Sequence, residues 1–374
     1  MRDADRLQAR VQRAIDALVG SGREIGVQVA AYLHGEPIVN AVSGLADEAG
    51  GRPVTPDTPF FSFATGLALT STVVHVLAEQ GKLDYDLRIA DVWPEYARHG
   101  KEQTTLRHAL THAAGVPGLP SYTSPEDLLD WDHMCRTIAG SAPAWRPGTA
   151  HGFHQWTYGW LIGEVVRRAV HRPIAWVLAE DIARPLQADR ELFFGVPPEQ
   201  LHRVARLKDR NWHAALEALS ERVENFAAVV PPGVRPDAAL ANRRDILRAD
   251  IPSVATVSAR GLARLYAALM GEVDGVRLVS PRRFREITTV ATHGPDRVFG
   301  GDLPKTPGYV AHLGGARIGW SGSGGSLAGC YPELGLSVAI TKNYLGTADE
   351  DPMEAVAALI RAAVADGGTV GPRA

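Results

Sequence analysis

The sequence predicts an α/β (α+β) fold: an antiparallel sheet flanked by helices, with an inserted, mostly helical lobe. Three observations predict it. Strand-like hairpin patterns stand near both ends of the chain, at Ile25 to Gly44 and at Gly325 to Leu345. The middle, about 100 to 250, is mostly helical in its apolar spacing and is punctuated by Pro and Gly. Amphipathic helical patterns open and close the chain. One sheet drawn from both ends is the simplest closure. The expected division is a discontinuous sheet domain of residues 1–90 and 250–374, a helical lobe of residues 91–249, and an active-site-like cleft between them.

Each element has its own reason. In "MRDADRLQARVQRAIDALVGSG", Leu7, Val11, Ile15 and Leu18 form one helical stripe. In "IGVQVAAYLHGEPIVNAVSG", Val27 and Val29 alternate with polar or small residues, and the hairpin turns near His34-Gly35. Residues 64–80 read as a helix with Leu67, Thr70, Val74 and Leu77 on one face and Gly81 as its stop. "WTYGWLIGEVVRRAV" and "SARGLARLYAALMG" are the clearest helices of the remainder, and the charged stretch 200–245 reads as surface helices and a loop. "GSLAGCYPELGLSVAITKNYL" is a second hairpin turning at Pro332-Glu333, followed by a closing helix in "PMEAVAALIRAAVADGG". No internal repeat or low-complexity linker stands out.

Bulk properties narrow the function classes. An apolar fraction of 45% and a charged fraction of 22% are those of a soluble globular protein. A net charge of −3, with no basic run, argues against a nucleic-acid partner. No apolar run reaches the length of a membrane span, and the N-terminus lacks a signal-type apolar core. The expectation is a cytoplasmic protein with a small-molecule partner; nothing fixes its oligomeric state. Cys135 and Cys330 are far apart and read as buried thiols. His151 and His154 are three apart, but no carboxylate stands at ligand spacing, so neither a metal nor another cofactor is expected. "GSGGS" lacks the Lys-Ser/Thr of a phosphate loop.

Four segments stand in a telling order: "DTPFFSFATGLALT" with "EQGKLD", then "TLRHALTHAAGVPGLP", "WRPGTAHGFHQWTYGWLIGEVVRR" and "WSGSGGS". In this order they resemble the serine β-lactamase and penicillin-binding-protein superfamily, and more narrowly its class C-like esterases, over nearly the whole chain. The resemblance implies the serine β-lactamase/DD-peptidase-like fold. It also implies a serine nucleophile on a helix's first turn, a lysine three residues on, a tyrosine and a backbone oxyanion hole. At the matching positions this chain has Ala64, Leu67 and Phe153, with Gln155 at the family's asparagine and Trp320, then Ser321, opening the third motif. The register of Ala64 is pinned by "EQGKLD" downstream. The oxyanion-hole amides implied by the resemblance are those of Ala64 and about Ser323.

Ala64, Leu67, Phe153, Gln155, Trp320, Ser321 and Ser323 are therefore the expected substrate-binding residues, forming an apolar pocket of the family's shape. An unpaired buried lysine at 67 would cost several kcal/mol, so a leucine there fits the absence of a serine at 64. His151 and His154 flank Phe153 and are the candidate acid/base residues; the structural alternative is a loop bonded to backbone. His112 and Cys330 read as structural. The expected function is binding of an apolar, carbonyl-bearing molecule and a non-hydrolytic biosynthetic step, such as cyclisation, isomerisation, dehydration or rearrangement, with no acyl-enzyme. Two alternatives stand beside it: a non-catalytic pseudoenzyme that binds a small molecule or partner protein, and a residual serine esterase using Ser62, Thr65 or Ser321.

Overall fold

The structure is a computed structural model that describes residues 3–312, 316–347 and 351–366. In chain order its strands are β1 (Gly26–Leu33), β2 (Glu36–Asp47), β3 (Arg52–Pro53), β4 (Phe60–Phe61), β5 (Leu192–Phe193), β6 (Lys208–Asp209), β7 (Thr256–Val257), β8 (Lys305–Thr306), β9 (Tyr309–His312), β10 (Arg317–Ser321), β11 (Leu327–Tyr331), β12 (Leu336–Lys342) and β13 (Tyr344–Leu345). Eight of them form one antiparallel sheet in the order β3-β2-β1-β12-β11-β10-β9-β8. A small sheet β4-β7-β5 joins distant parts of the chain, and β6 pairs with β13.

The strand β1 explains how the layers are held. It lies between β2 and β12 and is buried along its whole length. Its period-2 alternation divides it between two cores. Val27, Val29, Ala31 and Leu33 pack with Leu7, Val11 and Ile15 of the helix Asp3–Gly20 and with Met353, Val356 and Ile360 of the helix Pro352–Ala365. Ala30 and Tyr32 face the larger core, on the side where the helix Ala259–Met270 lies against β1 and β12. Each fully buried aliphatic side chain contributes roughly 1.5–3 kcal/mol. The Ser258 hydroxyl caps the helix Ala259–Met270 by accepting from Gly261 N–H at 2.9 Å.

Both hairpins form where the sequence places them, with turns at His34-Gly35 and at Pro332–Leu334. The helix expected over 64–80 differs at its start. A 3-10 turn, Phe63–Gly66, precedes the α-helix Leu67–Glu79. The cause is tertiary. Phe63 adopts a left-handed backbone (φ 47°), and Gly66 is pressed so closely against the Val254 backbone that a Cβ there would lie 2.2 Å from its carbonyl carbon. The stretch 200–245 does contain helices, Trp212–Arg222 and Phe226–Val229 among them, but Leu216, Phe226 and Val229 are buried. Among the described residues no helix is long and apolar enough to cross a membrane.

Candidate active site

The site is built where β4 runs into the 3-10 turn. Ser62 N–H donates to Ala255 O at 2.8 Å, anchoring the chain before the turn. The left-handed Phe63 then swings the backbone, and Ala64 follows. Thr65 N–H returns to Ser62 O at 3.3 Å. Opposite, β10 ends at Ser321, and Gly322 N–H closes a turn onto Ser326 O at 2.7 Å. The two segments are in backbone contact, for a Cβ at Gly322 would lie 2.3 Å from Ser62 O. Among the described residues, neither Ala64 N–H nor Ser323 N–H has a hydrogen-bond acceptor.

A loop before the helix Thr157–Val170 supplies the next wall and carries Phe153. Its backbone is tied at nearly every residue. Gly152 N–H donates to His112 O, and His154 N–H donates to His112 Nδ1, both at 3.0 Å. Phe153 N–H donates to the Asp296 carboxylate, which also accepts from Val298 and Phe299 N–H. Behind Asp296 stands Lys305, its ammonium 2.7 Å from the second carboxylate oxygen, with both side chains wholly out of solvent. Burial pushes the Asp296 carboxyl up, but the Lys305 charge and the amides outweigh it and hold it below its usual range. The His112 ring stacks on Tyr158 at 4.5 Å and on Phe153 at 5.6 Å, and it meets the edge of Trp320. Trp320 N–H donates to Gly308 O, so the indole offers only apolar surface to its surroundings.

Ala64, Phe153, Gln155, Trp320, Ser321 and Ser323 line one cavity of about 270 Å³. Six of the seven expected binding residues therefore meet. Leu67 is the exception: it is fully buried and is not part of the lining, because its position in the helix Leu67–Glu79 turns it into the core. The two histidines expected as acid/base groups do not line the cavity either. His154 is locked by backbone, with Nε2 accepting from Val116 N–H at 3.1 Å and Nδ1–H donating to Gly152 O at 2.6 Å. Both nitrogens are occupied, and burial pushes its pKa down to about 4. His151 bonds Gly294 O at 3.0 Å and sits against Lys305; burial and then the Lys305 charge lower its pKa. Both histidines hold the loop. His112 Nε2 has no partner among the described residues and is fully buried.

The hydroxyls divide clearly. Ser62 donates to Phe60 O and Thr65 to Ser62 O; both are buried, and neither lines the cavity. Ser321 and Ser323 do line it. Cys330 is buried, and burial raises its thiol pKa to about 12. No lysine, arginine, tyrosine, aspartate or glutamate is among the lining residues described.

The rest of the lining was not anticipated. Trp212, Leu216 and Leu219 of the helix Trp212–Arg222, with Phe226 and Val230 after it, roof the cavity. The signal was an i, i+4, i+7 apolar stripe within a charged stretch. Phe299, Leu303 and His312 complete the far wall. Burial, then the Arg317 charge, lowers the His312 pKa to about 4, so the ring is neutral at physiological pH. A larger, open depression of about 720 Å³ lies around Tyr85. Its arginines are already paired, Arg107 with Asp86 and Arg283 with Glu79, and it shares no lining residue with the cavity at Ala64.

Comparison with known proteins agrees with this fold. The "Beta-lactamase" family model matches residues 11–363. The esterase/beta-lactamase LipL of Mycobacterium tuberculosis is 33% identical over 362 residues, covering 91% of this chain and 82% of that protein. A family VIII carboxylesterase structure superposes with a TM-score of 0.85 at 30% identity over 96% of each chain. A penicillin-binding-protein homologue from Caulobacter crescentus does so with a TM-score of 0.83 at 31% identity, over 96% of this chain and 97% of that one. These relatives overturn the expectation of a non-hydrolytic cyclisation, isomerisation, dehydration or rearrangement, because LipL is named an esterase/beta-lactamase and the superposing structure a carboxylesterase, both hydrolases. The shared architecture, the matched motifs and the full-length similarity lead to one conclusion: the chain belongs to the beta-lactamase family, alongside its esterases and penicillin-binding proteins.

Proposed function

We propose that this protein is a residual esterase: it binds a carboxylic ester in the cavity, holds the carbonyl oxygen against the Ala64 and Ser323 amides, and hydrolyses it slowly. The observation that carries this reading is the pair of acceptor-free amides, of Ala64 and Ser323, on two segments that are in backbone contact and both line the cavity. Two such N–H groups stabilise the oxyanion that forms when an ester carbonyl is attacked. They are backbone groups, so an alanine at 64 does not remove them. Loss of a nucleophile elsewhere leaves roughly 10³–10⁴-fold catalysis over water from binding and the oxyanion hole alone, and the rate expected here is of that order. Ser321 is the best placed hydroxyl for a relocated nucleophile, since Ser62 and Thr65 are engaged in the backbone.

The test is ester turnover. The protein is incubated with p-nitrophenyl butyrate beside the Ser321→Ala variant and a heat-denatured control. Turnover above the denatured control supports the reading, and loss of that turnover in Ser321→Ala assigns the hydroxyl. A rate equal to the denatured control overturns it.

One observation favours a second reading, ligand capture without turnover. His312 is the one imidazole in the described lining, and on β9 it pairs with Arg317, four residues along β10 from Ser321. At about 3.3 Å per residue, that places the His312 backbone roughly 13 Å along the strand from the Ser321 backbone, and the imidazole Nε2 has no hydrogen-bond partner, a serine hydroxyl included, among the described residues. Ligand recovered unchanged after long incubation with stoichiometric protein is the outcome this reading expects.

A further inference from the structure

We infer that the cavity selects an uncharged ester with one polar head and an extended apolar group lying beneath the helix Trp212–Arg222, and that Leu216 sets how long that group can be. This rests on the ester reading above and names its substrate class.

The polar and apolar parts of the cavity are segregated. Ala64, Gln155, Ser321 and Ser323, with their amides and hydroxyls, belong to the motif segments. The roof contributes Trp212, Leu216, Leu219, Phe226 and Val230, all apolar. The tryptophan indoles on both sides spend their N–H groups on backbone, Trp212 on Pro236 O at 2.7 Å and Trp320 on Gly308 O at 2.8 Å. They therefore add ring surface and no free donor. A ligand filling this space meets polar groups at Gln155, His312, Ser321, Ser323 and the motif amides, and only hydrocarbon and ring surface along the roof. A peptide-like ligand, with several amides to satisfy, would leave them unpaired against the roof at a cost.

Charge gives the second half of the inference. None of the described lining residues carries a formal charge, and His312 is neutral near pH 7. A carboxylate entering the cavity finds no lysine or arginine to pair with, and its desolvation is uncompensated. The site therefore favours a neutral ester over its own acid product and over carboxylate-bearing lactams. Leu216 is 2% exposed, and it sits at the middle of the roof's i, i+4, i+7 stripe, so it bounds the apolar part of the cavity.

The experiment measures binding, which separates it from the turnover test. Dissociation constants are determined by calorimetry for methyl ketones from butanone to decanone, which carry the carbonyl and cannot be hydrolysed, and for the fatty acids of matched length and benzylpenicillin. Affinity should rise roughly fourfold per added methylene until the roof is filled, and acids and benzylpenicillin should bind at least about tenfold more weakly than the ketones. Leu216→Trp should weaken the longer ketones selectively, and Leu216→Ala should move the optimum to longer chains. Circular dichroism verifies that both variants fold, and Leu219→Trp replaces Leu216→Trp if it does not. Equal binding of ketones and acids, or chain-length dependence unchanged in every folded roof variant, overturns the inference. Chain-selective ketone binding by a protein that turns over no ester supports it while refuting the esterase reading.

Discussion

Gly322 and Ser62 meet through their backbones: a Cβ on Gly322 would fall 2.3 Å from the Ser62 carbonyl oxygen. This contact brings the end of β10 against the turn that carries Ala64, and with it the two acceptor-free amides. No side chain at 64 or 323 is involved in the approach. A glycine at 322 is therefore required by the geometry of the site, whatever chemistry the site performs.

Gly322→Ala follows directly. The added methyl meets a backbone carbonyl, which cannot rotate away, so β10 must shift from the turn. The expected cost is about 1–3 kcal/mol of stability, with ketone binding weakened by at least roughly tenfold. Urea denaturation and calorimetry measure both. Unchanged binding in a folded Gly322→Ala protein would show that the two amides do not act together.

Asp296 and Lys305 make a second test. Asp296→Asn leaves a buried ammonium without its charge partner, and the loss of one partner of such a pair costs about 3–5 kcal/mol. The double variant Asp296→Asn, Lys305→Met should recover most of that loss. Urea denaturation of the single and double variants reads the difference. Equal loss in both would mean that the carboxylate matters for its amide contacts at Phe153, Val298 and Phe299 rather than for the pair.

The buried imidazoles set the acid side of the stability profile. Burial lowers the pKa of His154 to about 4; burial and then the Arg283 charge lower that of His75 to about 3. The unfolded chain takes up these protons near pH 6.5, whereas the folded protein does so only at its lower values. Stability is thus fully present above pH 6.5 and falls as the pH drops toward 4, by about 1.4 kcal/mol per pH unit for each such histidine. Unfolding free energies at several pH values between 6.5 and 5 give the slope, where most carboxylates are still ionised. His154→Gln should reduce the slope by one proton, and an unchanged slope would place the titration elsewhere.

The legible and illegible parts of this protein separate by cause. The hairpins were legible because apolar alternation in "GVQVAAYL" and "LSVAITK" is broken only by short turns, and pairing between β1 and β12 follows from their continuous burial. The motif wall was legible because its residues act through sequence order and backbone position. Leu67 was misplaced because one 3-10 turn, forced by Phe63 and Gly66, separates it from Ala64. His151 and His154 were misread because the sequence does not reveal which backbone groups meet a ring; here they are Gly294 O, Val116 N–H and Gly152 O. The roof was missed because the stripe Trp212, Leu216, Leu219 is diluted by charged neighbours, and the tertiary fold decides what it covers.

The central claim is that the walls and amides of an acyl-transfer site are in place around a position that carries no attacking atom. The most direct measurement is intact-mass detection of a fluorophosphonate adduct on the wild-type protein and on the double variant Ala64→Ser, Phe153→Tyr, whose two positions both line the cavity. The account predicts no adduct at position 64 in the wild type and labelling there in the variant. A folded double variant that stays unlabelled would contradict it, because the amides would then not be arranged to receive the reaction.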